Sequence, residues 1–234
     1  VAALLSGLPN TTPGYSIDRM CAGAMTAVTT VAGSIAMGAI DVAIAGGVEH
    51  MGRHPMGEGV DPNPRIIAEK IVDPSALVMG QTAENLHDRF PQLTKARCDA
   101  FALGSQAKLA SAYAAGKIQR DLVTVATRHK DLGYGLATTD EPPRPSTTMA
   151  DLQALKTPFR TRGNVTAGNS AGLNDGATAC LLAAEDTAVA LGMPVRMRLV
   201  SYAFVGVEPE VMGIGPVPAT EKALAKAGLT IQNI

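Results

Sequence analysis

Residues 20–47 read MCAGAMTAVTTVAGSIAMGAIDVAIAGG, and their pattern decides the fold class. From Met20 to Ile40 there is no charged residue, about the length of a membrane-spanning helix. Yet this stretch carries Thr26, Thr29, Thr30 and Ser34, with Gly23, Gly33 and Gly38 among them. Its larger apolar residues, Met25, Val28, Val31, Ala32, Ile35 and Ala36, fall on a helical stripe. The pattern predicts a helix buried inside a protein, with small residues that let neighbours approach closely, and no membrane span. Asp41-Val42-Ala43-Ile44-Ala45-Gly46-Gly47 follows as a short apolar run closed by a glycine pair. That is the pattern of a strand buried on both faces in an α/β sheet.

Immediately upstream, Tyr15 to Met20 reads as a strand leading into the buried helix. A second alternation comes late: a strand over Gly176 to Ala183, a helix from Glu185 to Leu191 ended by Gly192, a strand over Met197 to Val207, and a helix from Ala219 to Ala227 capped by Gly228. Between them lies a different region. It opens on His54-Pro55 and Asp61-Pro62-Asn63-Pro64, holds one long polar helix at about Thr94 to Ala115, and passes through Pro142-Pro143-Arg144-Pro145. The organisation predicted is an α/β body, residues 1–53 and 164–234, interrupted by an inserted loop domain at 54–163.

The whole chain has 234 residues, with Lys+Arg 20 against Asp+Glu 21. Near-zero net charge and 3% aromatics, with no Trp, argue against a nucleic-acid surface, which needs a basic field and stacking platforms. Cys21, Cys98 and Cys180 are an odd, widely spaced set without a CxxC pair. They fit a reducing, cytoplasmic setting better than a disulfide framework. The start, Val1-Ala2-Ala3-Leu4-Leu5, has no basic flank or cleavage site of a signal peptide.

Cys21 is the residue richest in chemistry. A strand-to-helix turn aims the first side chain of the helix at open space, and the helix start favours a thiolate. The dipole contributes about 0.3–1 kcal/mol, at most ~2, so an efficient nucleophile there needs a further base. The residues alone leave two readings open, a nucleophile or a small core thiol. The histidines are His50, His54, His87 and His129, and none forms HExxH or zinc-ligand spacing, so no metal is expected. His50 and His54 follow the strand ending at Gly47 and could pair with Cys21 or be solvated loop residues. His87 reads as an exposed helix residue. No nucleotide-phosphate loop stands out. The small residues of 167–176, Ala-Gly-Asn-Ser-Ala-Gly-Leu-Asn-Asp-Gly, predict backbone that approaches a ligand or another segment closely. Arg144, Lys156, Arg160 and Arg162 make the preceding segment mildly basic, suited to a phosphorylated ligand or simply to solvent.

Five motifs then resemble one family in order. Asp18-Arg19-Met20-Cys21-Ala22-Gly23-Ala24-Met25 resembles the nucleophile segment of thiolases, and Ala45 to Met51 their GGxExM strand end. Met79-Gly80-Gln81-Thr82-Ala83-Glu84-Asn85 is similar to their MGxTAEN motif. Val165 to Ala177 resembles TAGNxSGxNDGA, and Val211 to Pro218 resembles MGxGPxPA. The resemblance covers essentially the whole chain. It implies an α-β-α-β-α layered fold of two similar halves with an inserted loop domain, here incomplete.

The resemblance also implies acyl-CoA C-acyltransfer, either thiolytic cleavage of 3-ketoacyl-CoA or the reverse Claisen condensation, through an acyl-cysteine on Cys21. No cofactor is implied, since CoA and acyl-CoA are substrates. Position by position, Arg144 matches the arginine at the nucleotide end and Phe159 an aromatic beside the pantetheine. Ala167 and Leu173 match the pantetheine tunnel, and Met79 and Met212 match methionines near the acyl group. Departures are Ala171 where the family has a pantetheine-contacting serine, with Ser170 carrying the hydroxyl instead, Asp151 where a small polar residue contacts CoA, and Gly23-Ala24 for Ser-Gly. Gly59 to Asp73 looks like an acyl-pocket loop of the degradative 3-ketoacyl-CoA type.

The family's NEAF, GHP and CxGGGxG segments have no counterpart before Ile234. The expectation is therefore the middle portion of a longer thiolase, not competent alone, and a homodimer or homotetramer when entire. Two other classes compete: a non-catalytic acyl-CoA or lipid-binding relative, and a Cys–His hydrolase using His50 or His54.

Overall fold

The computed structural model describes residues 1–129 and 133–234. Along the chain the helices are α1 (Ala2–Leu5), α2 (Gly23–Ala36), α3 (Arg65–Ala68), α4 (Met79–Arg89), α5 (Lys95–Ala114), α6 (Met149–Ala154), α7 (Glu185–Ala190) and α8 (Pro216–Ala227). The strands are β1 (Val42–His50), β2 (Val125–His129), β3 (Gly133–Ala137) and β4 (Asp175–Ala183). The chain divides into two compact units. One comprises Val1–Glu58, Asn174–Tyr202 and Ala223–Ile234, the other Gly59–Leu173 and Ala203–Lys222.

In the first unit α2 lies against the antiparallel pair β1–β4, whose register sets Ala45 opposite Cys180 and His50 opposite Asp175. The hydroxyls on α2 are satisfied within the helix: Thr26 donates to Ala22 O, Thr30 to Thr26 O and Ser34 to Thr30 O. A helix with four hydroxyls can thus face a sheet without orphaned donors. Gly47 does not close the strand as its sequence suggested, because β1 runs on to His50. A methyl group at Gly47 would stand 2.7 Å from Ala24 Cβ, so the glycine is where helix and strand meet.

The helix is half-buried rather than enclosed, with Thr29 its buried residue and Met25 exposed. Ala45 is the buried residue of β1, while Ile44 and Val48 are exposed, so α2 covers one face only. Tyr15 to Met20 is not a strand. The Asp18 carboxylate accepts from Met20 N at 2.8 Å, and that local turn replaces sheet pairing. Residues 197–207 are likewise outside any sheet among the described residues. Instead Ser201 Oγ donates to Ala223 O, and the Lys226 ammonium stands 5.9 Å over the Tyr202 ring and donates to its carbonyl. The α7 helix and the β4 strand form within a residue of where the sequence placed them, while α8 starts at Pro216, three residues ahead of the expected Ala219.

In the second unit α4 packs on the 3₁₀ turns Pro74–Leu77 and Pro209–Ile214. Asn85 Nδ2 donates to Glu210 O at 2.8 Å and to Ser75 Oγ at 3.1 Å, and Arg89 pairs with Glu208. The long helix α5 begins at its Thr94 cap, close to the expected bounds, and packs on α6. The hairpin β2–β3 was not read from the sequence, where Gly133 and Gly135 interrupt its alternation. The His129 side chain lies outside the described residues.

α6 starts with a capping box, in which Thr148 Oγ1 accepts from Asp151 N and Asp151 Oδ2 accepts from Thr148 N. Asp151 is therefore committed to a helix end, whatever else it meets. The Thr148 hydroxyl, and then the Thr148 backbone N–H, hold its carboxyl below the usual range. A depressed folded value means the cap contributes above the ordinary carboxylate pKa and is lost as pH falls through the lowered one. The T148A substitution should return the Asp151 titration toward the ordinary carboxylate range, as read by carboxyl ¹³C NMR; an unmoved titration would refute the assignment.

Candidate active site

Cys21 stands in the 3₁₀ turn Met20–Ala22 that leads directly into α2, and it is exposed. The residue before it, Met20, takes the left-handed φ of 45°, uncommon for a side chain of that size. Such a turn holds the cysteine out of the packed face, while Ala22 N donates to Arg19 O and Asp18 closes the chain behind it. Gly23 N, the first of the 14-residue α2, donates to Met20 O, and the N–H groups after it in the first turn have no acceptor within the helix. A thiolate, or an oxyanion formed on an attached acyl group, is the charge that such groups favour.

In the same unit His50 Nδ1 meets Asp175 Oδ2 at 2.9 Å, and Asp175 Oδ1 accepts from Gly52 N at 2.8 Å. His54 meets Glu58 at 3.2 Å. Both rings are thus engaged by carboxylates at the surface, His54 from the segment after β1 and His50 from the last position of β1 and not from a loop.

The other expected site residues lie in the second unit. Met79 is the first residue of α4, and Phe159 abuts the second residue, Gly80. Met212 lies in the 3₁₀ turn that packs on α4, where Gly213 approaches Leu86 Cδ1. The structure therefore gathers Met79, Phe159 and Met212 around one helix, each partly exposed. Arg144 is fixed by its backbone, N donating to Gln106 Oε1 on α5, and its side chain is exposed. Ala167 is at the tip of a tight turn in which Thr166 N donates to Asn169 Oδ1 and Asn169 N to Thr166 Oγ1. Ser170 and Leu173 follow it, both exposed.

The close approach expected at 167–176 occurs at Gly168, where a methyl group would stand 2.5 Å from Leu152 Cδ2 and Leu155 Cδ1. Arg160 is not available to a ligand in the way its basic neighbours are. Its guanidinium donates to Asp88 and Asn85, each at 2.6 Å, and to Gln81 Oε1.

Sequence reasoning missed the groups that hold these loops. Glu84, 1% exposed, accepts from Asn164 N at 2.9 Å and from Val165 N at 2.9 Å. Asp99, 0% exposed, takes Lys95 Nζ at 2.7 Å and Asn169 Nδ2 at 3.0 Å, and Lys95 also donates to Leu152 O. The available signal was spacing: Gln81, Glu84, Asn85 and Asp88 lie on one helical face, and Lys95 and Asp99 are an i, i+4 pair. His87, expected to be exposed, is half-buried on the same helix with its ring against Leu93 O. No cluster of His, Cys, Asp and Glu suited to a metal occurs among the described residues. No helix there is long and apolar enough to cross a membrane.

A mixed α/β chain with an exposed thiol at the start of its glycine-contacting helix defines the class, and comparison supplies the family. Residues 1–186 match "Thiolase, N-terminal domain" and residues 193–234 match "Thiolase, C-terminal domain". The chain belongs to the thiolase family. It is 42% identical over 238 residues to 3-ketoacyl-CoA thiolase A, peroxisomal, of Mus musculus, covering 100% of this chain and 56% of that protein. It is 40% identical to the 3-ketoacyl-CoA thiolase of Shewanella baltica, covering 60% of it. Among solved structures, human mitochondrial 3-ketoacyl-CoA thiolase superposes with a TM-score of 0.85 at 32% identity, over 99% of this chain and 61% of that one. The acetyl-CoA acetyltransferase of Bacillus anthracis gives 0.83 at 34%, over 99% and 61%. The fold is that of the thiolases, and the chain spans about three fifths of these relatives' length.

Replacing Glu84 by alanine strips two loop N–H groups of their acceptor, at about 1–3 kcal/mol each. E84A should therefore speed amide exchange at Asn164 and Val165 by roughly 30-fold or more, at 1.4 kcal/mol per factor of ten. Exchange unchanged at those two amides would show that Glu84 does not hold them.

Proposed function

We propose that the protein carrying this chain is an acyl-CoA C-acyltransferase that works through an acyl-cysteine on Cys21. The observation that carries this reading is the exposed Cys21 at the start of α2, held out by a left-handed Met20. The Cys21 thiolate adds to the keto carbon of a 3-ketoacyl-CoA, the bond between the second and third acyl carbons breaks, and the electron pair leaves as the acetyl-CoA enolate, which takes a proton. The thiol of free CoA then attacks the Cys21 thioester, forming the shortened acyl-CoA and returning the cysteine. Each half exchanges one thioester or carbon bond for another, so no oxidant or metal enters the balance.

In this reading Arg144 meets the nucleotide end of CoA, Phe159, Ala167, Ser170 and Leu173 border the pantetheine, and Met79 and Met212 border the acyl group. Their exposed or part-exposed side chains on backbone fixed by α4, α5 and Glu84 support those roles. The degradative 3-ketoacyl-CoA direction is favoured by the loop at 59–73 and by the names of the relatives cited above. A cytoplasmic homodimer or homotetramer is proposed, with the free thiols of Cys21, Cys98 and Cys180 supporting a reducing compartment.

Incubation with acetyl-CoA, followed by peptide mass spectrometry, should find one acetyl group on Cys21 and none in C21S. In the entire protein C21A should lower thiolysis by roughly 10⁴-fold or more. Acetyl transfer to Cys98 or Cys180, or C21A activity near wild type, would overturn the proposal.

A further inference from the structure

Gly80 is inside α4, where alanine would be the better helix former. Its φ is not left-handed, so the backbone does not require glycine there. The requirement comes from outside the helix. A methyl group built at Gly80 would overlap Cδ2, Cε2 and Cζ of the Phe159 ring. The next residue holds the same phenylalanine by its backbone, since Gln81 Nε2 donates to Phe159 O. Gln81 Oε1 also accepts from Arg160 Nε, and Arg160 is tied further down the helix to Asn85 and Asp88. Phe159 is therefore held on its ring, on its carbonyl and through its neighbour by one stretch of α4, while 38% of it stays open to solvent.

We propose that Gly80 and Gln81 are positioning residues for Phe159: they fix where its ring stands and thereby set the affinity of the site for the pantetheine arm of CoA. The inference rests on the acyl-CoA reading given above. An added methyl at position 80 evicts the ring from its seat without touching the nucleotide end of the ligand. Its effect must be confined to ligands that carry a pantetheine, and it must vanish when the ring is already gone.

The test is calorimetric titration of the entire protein that carries this chain, and of its G80A, F159A and double variants, with two ligands. One is CoA; the other is 3′-phosphoadenosine 5′-diphosphate, its nucleotide end without the pantetheine arm. The expected result is that G80A weakens CoA roughly tenfold, about 1.4 kcal/mol, leaves the nucleotide unchanged, and adds nothing further in the F159A background. Wild-type affinity in G80A, equal weakening of both ligands, or a further loss in the F159A background would each overturn the inference while the acyl-CoA reading stands. If the unaltered entire protein binds neither ligand, that reading falls and this inference with it. Should G80A fail to fold by circular dichroism, Q81A takes its place. It frees the Phe159 carbonyl and one of the Arg160 bonds, leaving Arg160 on Asn85 and Asp88, and a selective threefold loss for CoA is expected against none if the inference is wrong.

Discussion

Two carboxylates with almost no exposed surface, Glu84 and Asp99, are the constraint on which the second unit depends. A buried carboxylate is costly unless hydrogen bonds or an opposite charge replace its water. Glu84 has both oxygens on backbone N–H groups of the 164–165 segment, and Asp99 has Lys95 on one oxygen and Asn169 on the other. These partners come from residues some seventy to eighty positions away in sequence for the loop contacts, so satisfying the charge fixes the loop. The turn at Thr166–Asn169 then presents Ala167 with little freedom, and Gly168 settles against α6. One desolvated charge on a helix thus becomes a fixed backbone edge.

The first unit rests on a different constraint, the close approach of α2 to β1. Thr26, Thr30 and Ser34 turn their hydroxyls back into the helix, and Gly47 lets Ala24 come within contact. The same helix start that packs against the sheet through Ala24 carries Cys21 three residues earlier on its outward turn. The packed face and the exposed thiol share one helix end. The buried face locates the helix, and the left-handed Met20 keeps the sulfur outside it.

How much of this was legible varied with the physics behind each element. Local signals were read well: the apolar strands at β1 and β4, the helices α5, α7 and α8, and the turn that leaves Cys21 exposed ahead of α2. Elements that depend on a distant partner were not. Tyr15 to Met20 and residues 197–207 have strand-like composition, but a strand exists only where another backbone pairs with it, and Asp18 offered the first a local turn instead. Burial on both faces of β1 was over-read because a run of apolar residues does not say what covers it. In the site, the resemblance named Phe159 and Ala167 but not the groups that hold them. Glu84 and Asp99 look like ordinary helix-surface charges until their partners, Val165 and Asn169, are brought in by the fold.

Cys21 is set apart from the other thiols by its position. The other two thiols provide an internal control. Cys98 is half-buried with its ionisation pushed up, first by burial and then by Asp99, and Cys180 is exposed on β4 without a helix start behind it. Iodoacetamide alkylation followed peptide by peptide compares all three in one experiment. Cys21 should be modified at least about tenfold faster than Cys98 or Cys180 and be protected by saturating acyl-CoA. Equal rates at Cys21 and Cys180, or no protection of Cys21, would contradict it.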